Sequence, residues 1–133
     1  MIEEQFVSFN TAKMLKEVGF NVSCRYSYDN VGGFRWLKIR ELTPKEWIPC
    51  PTQALAARWL REKHRISLNV AFVQPSIDGD MWRYFVGKMD DMIWESEYKT
   101  SRKYVTYEQA MEAGLREAIK LINSKDYEKD FIQ

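Results

Sequence analysis

Two prolines, Pro49 and Pro51, lead into an unbroken amphipathic run ending at Ile66 (PCPTQALAARWLREKHRI), and no other stretch restricts the fold as much. A residue before proline is driven towards extended backbone, so Ile48 and Cys50 are extended and no helix begins before about Pro51. Either Pro51 is the first helical residue or Thr52 caps the helix. Leu55, Ala56, Trp59, Leu60 and Lys63 recur at the three- and four-residue spacings of one helical face. Arg58, Arg61, Glu62 and Arg65 fall mostly off that face. His64 and Arg65 close the last turn, where cations suit the helix dipole. The flanking sequence reads as strand pairs on both sides, so this helix packs across a sheet. Trp59 then belongs to the core between them, with Ala54, Ala56 and Ala57 allowing close packing.

The rest of the chain supplies the sheet and its cover. After a lead-in over residues 1–7, Ser8 caps a short helix, and Val7 can staple onto Ala12. Thr11, Ala12, Met14, Leu15 and Val18 form its buried side, Gly19 stops it in the left-handed region, and Phe20 folds back. Val22, Cys24, Tyr26 and Tyr28 alternate with polar residues, the mark of a strand with one buried face. Residues 29–33 are turn chemistry, and residues 34–42 return as a strand with Trp36, Leu37 and Ile39 covered on both sides. Residues 43–51 form an irregular connection to the central helix.

Beyond that helix, residues 67–74 read as a strand ended by Pro75. A turn at Asp78, Gly79 and Asp80 leads to a strand over 81–89, and a turn at Asp90 and Asp91 to a third over 92–98. Residues 99–103 read as a polar loop. Thr106 caps a last helix whose stripe runs Tyr107, Ala110, Met111, Gly114, Leu115, Ala118, Ile119 and Ile122. Gly114 on that stripe points to a close backbone approach, and Glu112 pairs with Arg116 on the outside. The order α-β-β-α-β-β-β-α predicts an α+β domain over residues 1–123, an antiparallel sheet with helices packed on it, and a polar tail over 124–133.

Composition matters chiefly for what it excludes. With 20 Lys and Arg against 19 Asp and Glu, no global charge selects nucleic acid or an anionic membrane. No apolar run approaches a membrane span and no secretory leader is visible, so a cytoplasmic setting is expected. Cys24 and Cys50 match no ligand spacing, and His64 is the only histidine. Asp78 and Asp80 flank a turn glycine without the remaining oxygen ligands of a calcium loop. Gly32-Gly33 lacks the lysine of a phosphate loop and precedes a strand, and no serine or cysteine triad is recognisable. The expectation is a chain with no cofactor and no enzymatic activity. An enzyme would need a deep pocket around a perturbed carboxylate among Asp78, Asp80, Asp90 or Asp91.

Two basic clusters remain. Arg58, Arg61, Lys63 and Arg65 against Glu62 give +3 on the central helix, and Lys99, Arg102 and Lys103 give +3 ahead of the last one. They form one phosphate-binding surface if they meet in space, and a solvated face and loop if they do not.

The run Ile48-Pro49-x-Pro51-Thr52-Gln53, with Trp59-Leu60-Arg61-Glu62-Lys63-His64, resembles small uncharacterised proteins of phages and integrated elements in Bacteroides-type bacteria. The similarity extends to Leu15-Lys16-Glu17-x-Gly19-Phe20 and to Tyr107-Glu108-x-Ala110, and so covers most of the chain. The resemblance implies an accessory protein of a mobile element acting inside the bacterium, and it assigns no catalytic residue. With the high aromatic content, it favours a module that binds an unknown protein partner through an exposed apolar patch or a strand such as 34–42. The alternative is nucleic-acid binding. From the central helix onward the order is α-β-β-β-α, as in double-stranded-RNA-binding domains. Against that stand the missing Gly-Pro-x-His loop and Glu108, which would repel phosphate at the start of the last helix.

Overall fold

The computed structural model describes residues 4–36, 47–73, 81–89, 99–100 and 104–132, with the backbone alone at 99–100 and 123–132. Its elements in chain order are α1 (Phe9–Glu17), β1 (Tyr26–Tyr28), β2 (Phe34–Trp36), β3 (Ile48–Pro49), α2 (Gln53–His64), β4 (Ile66–Phe72), β5 (Trp82–Lys88), β6 (Lys99–Thr100) and α3 (Tyr107–Ile132). The fold is α+β, and its strands form two antiparallel three-stranded sheets, ordered β2-β1-β3 and β4-β5-β6. α3 packs on β4 and β5, α2 on β4 and α3, and α1 on α3 and β3. One core joins the two sheets, from Val7, Leu15 and Ile48 through Leu60 and Ile66 to Val86, Leu115 and Ile119.

α1 ends as its sequence dictates. The Ser8 hydroxyl accepts from the Thr11 N–H at 3.2 Å, and Thr11, Ala12 and Leu15 are buried. Gly19 takes φ +98° while Phe20 N–H bonds Leu15 O and Gly19 N–H bonds Lys16 O, the paired contacts of a Schellman stop.

For α2 the cap is settled: the Thr52 hydroxyl accepts from Leu55 N–H at 3.1 Å. Gln53, Ala56, Trp59 and Leu60 are buried. Lys63 is exposed, contrary to its expected place on the buried face. It holds the same angular sector but stands in the last turn, where the chain leaves the helix and a lysine head reaches water. The helix closes on Arg65 at φ 54° and ψ 43°, a left-handed conformation that usually goes to glycine. Trp59 is buried, and its ring neighbours are Phe20 at 5.2 Å and His64 at 4.8 Å.

The strand readings hold in kind and shift in extent. β1 covers only Tyr26–Tyr28, because the chain bends at Arg25; the fully buried position on it is Ser27, with both tyrosines half-buried. The connection over 43–51 contains a strand, β3, paired with β1. The prolines that keep this stretch out of a helix also suit an edge strand, where a missing N–H is tolerated. The strand expected over 92–98 and the turns at Asp78–Asp80 and Asp90–Asp91 lie outside the described residues. The third strand that does pair with β5 is β6, at Lys99–Thr100, in the stretch expected to be loop. Its polar sequence hides it: a charged edge strand carries no apolar alternation.

α3 shows what sequence periodicity alone cannot resolve. Ala110, Met111, Gly114, Leu115, Ala118 and Ile119 are buried as the stripe demands. A Cβ on Gly114 would stand 3.0 Å from Tyr84 Cβ and 2.5 Å from Leu68 Cδ1, so the helix does approach β4 and β5 closely there. Tyr107, by contrast, is exposed, one turn beyond the buried stretch. Glu112 does not serve the expected outward pair with Arg116. Its carboxylate accepts from Ser8 N–H at 3.0 Å, Ser8 Oγ–H at 2.9 Å and Gln53 Nε2–H at 3.1 Å, tying the starts of α1 and α2 to α3. The helix continues to Ile132 through the stretch expected as a tail, since residues 123–132 contain neither proline nor glycine to end it.

Candidate interaction site

The β1–β2 hairpin is built by one aspartate. Asp29 is buried at the turn, and its Oδ1 accepts from Val31 N–H at 3.0 Å and Gly33 N–H at 2.7 Å. Its Oδ2 accepts from Arg35 Nε–H at 3.0 Å. Gly32 supplies a left-handed φ of +89°, and Gly33 leaves room for the carboxylate, which a Cβ would meet at 2.5 Å. The two backbone hydrogen bonds and the arginine hold the Asp29 carboxyl below its ordinary pKa.

The turn sets a register that aligns aromatic rings. Tyr26 lies opposite Trp36 and Tyr28 opposite Phe34, so all four share one face, while Ser27 and Arg35 share the other. Phe34 stacks on Tyr26 with centroids 4.7 Å apart, and Phe6 meets both rings edge-on at 5.4 and 5.0 Å. Among the described residues β2 pairs with β1 alone, so one of its edges carries no strand. All three of its residues are exposed, Phe34 at 48% and Trp36 at 56%. Over Phe34–Trp36 this corrects the expectation of a strand covered on both faces, since α3 and α2 pack on the other sheet while Phe6 and Phe9 meet this face edge-on. The rest of the expected strand, residues 37–42 with Leu37 and Ile39, lies outside the described residues.

Beside the hairpin is a cleft of about 600 Å³ whose walls include Phe6, Cys24, Arg25, Tyr26, Cys50 and Leu55. Burial, with a smaller push from Cys50, raises the Cys24 thiol to about 11. Burial also raises Cys50 to about 11; a hydrogen bond with Tyr28 works against that rise and the Glu112 charge adds to it. Thiols held so high stay protonated at neutral pH and make poor nucleophiles. Tyr28 is raised too, mainly by burial, and its hydroxyl donates to Val7 O at 2.7 Å.

The basic residues singled out in the sequence are only partly placed. Arg58, Arg61, Lys63 and Arg65 are exposed on α2 and its C-cap, with Arg58 Nε 3.1 Å from Glu62 Oε1. Lys99 opens β6 opposite Val86, and Arg102 and Lys103 lie outside the described residues. Asp78, Asp80, Asp90 and Asp91 also lie outside them. His64 stands half-buried against Trp59. The strand that carries this edge is nameable from sequence as a binding surface, but the exposure of Phe34 and Trp36 carries no one-dimensional signal, since buried and exposed strands alternate alike.

Among the described residues, no group of three or more His, Cys, Asp or Glu could hold a metal ion, and no helix is long and apolar enough to cross a membrane. No family model matches the chain, and neither does any curated protein or solved structure.

Proposed function

We propose that this protein is a non-enzymatic accessory module that binds another protein along the open edge of β2. The observation that carries this is the exposure of Phe34 and Trp36 on a strand with one unpaired edge among the described residues. Exposed large rings on such an edge are a surface that another chain can cover, by added backbone pairing and by apolar contact. The chemistry beside it supports binding over catalysis: both thiols are held protonated, and Asp29 and Glu112 are committed to hydrogen bonds that hold the fold. The setting inside a bacterium carrying a phage or integrated element follows the sequence resemblance.

The test is affinity capture with immobilised wild type, Phe34→Ser and Trp36→Ser at physiological salt, from cells that make the protein natively. The same partner should be recovered by wild type and lost from both variants. Equal recovery by all three would contradict the assignment of the surface.

A second reading, duplex-RNA binding, has the succession α2-β4-β5-β6-α3 and four exposed basic residues at α2 in its favour. Exposed Glu108 in the first turn of α3 stands against it. Retention of a 20-base-pair RNA duplex, weakened by salt and by Arg61→Ala, is its expected signature; no retention at low salt removes it.

A further inference from the structure

Resting on the docking reading above, we propose that the segment received by β2 is an extended strand with an acidic residue between two apolar ones. The acid faces Arg35, and the apolar pair covers Phe34 and Trp36. The register supplies the alternation: Phe34 and Trp36 belong to the aromatic face, and Arg35 between them belongs to the opposite face. A strand added at hydrogen-bonding distance repeats that alternation, so its side chains meet an aromatic, a cation and an aromatic in turn.

The charge on the middle position is set by burial. Asp29 and Arg35 are ion-paired, yet the carboxylate side chain is 8% exposed and the guanidinium side chain 60% exposed. The anion is enclosed by the turn amides, so the charge presented to solvent at the edge is positive. Arg35 gives Nε–H to Asp29, and a guanidinium has four further N–H donors in a planar fork that suits a second carboxylate. A lysine or arginine at the middle of the incoming strand would face like charge, so the position discriminates as well as attracts. The apolar positions meet a floor two strands wide, because Tyr26 lies beneath Phe34 in a stack and opposite Trp36 across the pair.

The probes are fluorescently labelled nine-residue peptides with a common threonine-rich frame and a centre of Val-Glu-Val, Val-Lys-Val or Glu-Val-Glu, read by anisotropy. Wild type should bind the Val-Glu-Val peptide roughly tenfold more tightly than Val-Lys-Val. Glu-Val-Glu, which sets acids against the rings, should bind more weakly still. Arg35→Glu should reverse the preference between the first two peptides. Because that variant also repels Asp29, Arg35→Gln is measured beside it and should abolish the preference while its circular dichroism matches wild type. Trp36→Ser should weaken all three peptides. Equal affinity of wild type for the glutamate and lysine peptides would overturn the acidic-partner proposal. So would a preference that survives Arg35→Gln, or no binding of any peptide. Loss of binding in Trp36→Ser without any charge preference would leave the β2 docking reading standing and sink only its chemical refinement.

Discussion

The two sheets use aromatic residues to opposite ends. In β4-β5-β6, Val86 is wholly buried and Tyr84 stands against the α3 backbone at Gly114; two helices cover this sheet. At its far end Phe72 is exposed and meets half-buried Trp82 at 5.6 Å, which in turn meets exposed Tyr107 of α3 at 5.5 Å. In β2-β1-β3 the β2 half of the aromatic ladder, Phe34 and Trp36, is exposed while Tyr26 and Tyr28 are half-buried against the core, and the hairpin is tied by the Asp29 turn. Under the proposed function, stability and recognition are divided between the two sheets. The core is built largely on the helix-covered sheet and α2, and the hairpin is kept in shape by local hydrogen bonds, with one edge of β2 carrying no strand among the described residues.

The largest test of that division falls on α2. Trp59 is 7% exposed, and replacing it with alanine should cost about 3–5 kcal/mol. That is a large share of the roughly 5–15 kcal/mol available to a domain. Arg61→Ala, on the exposed side of the same helix, should move stability by less than about 0.5 kcal/mol. Urea midpoints of the two variants check the orientation of the helix, and similar midpoints would mean that it is turned the wrong way.

Next comes the helix-to-sheet approach. Gly114→Ala should gain about 1 kcal/mol of helix propensity. It should lose about 1–3 kcal/mol to overpacking, because the new Cβ meets Tyr84 Cβ at 3.0 Å and that atom cannot swing aside. A net drop in thermal midpoint is expected; a rise would mean that α3 sits further from the sheet.

On the hairpin the expected effect is smaller and depends on pH. The Asp29 carboxyl is lowered in the folded state, so the unfolded chain binds the proton more readily and stability rises with pH. The contribution is fully present above the ordinary aspartate value of about 3.9 and is lost as pH falls through the lower folded value. In urea titrations at successive pH values, Asp29→Asn should lack this acid-side loss. A variant with the wild-type slope would show that the turn is not held by the carboxylate.

Much of the architecture is legible in the sequence because it is written in local chemistry. Ser8, Thr52 and Thr106 each cap a helix, Gly19 stops one, and the apolar stripe of α3 predicts its buried face and the close approach at Gly114. What is not legible depends on partners distant in sequence. Glu112 looks like an outer-face residue until Ser8, 104 residues away, and Gln53, 59 residues away, arrive as donors. β3 and β6 are two residues long and take their identity from the strands they join. The candidate site is half legible: its strand is nameable as a binding surface, but Phe34 and Trp36 alternate as core residues would, and the tertiary arrangement leaves them uncovered. Arg58 and Arg61 of α2 and Arg65 at its C-cap are exposed as expected, Lys63 is exposed against expectation, and Arg102 and Lys103 lie outside the described residues.

The proposed division between a stabilising half and a docking edge is tested most directly at Trp36. It is a large apolar side chain, yet 56% exposed, so Trp36→Ser should shift stability by no more than about 0.5 kcal/mol. The measurement is its urea midpoint set against those of wild type and Trp59→Ala. A midpoint that coincides with wild type, from a protein that no longer captures its partner, is the expected result. A midpoint that falls as far as that of Trp59→Ala would place Trp36 in the core and contradict the account.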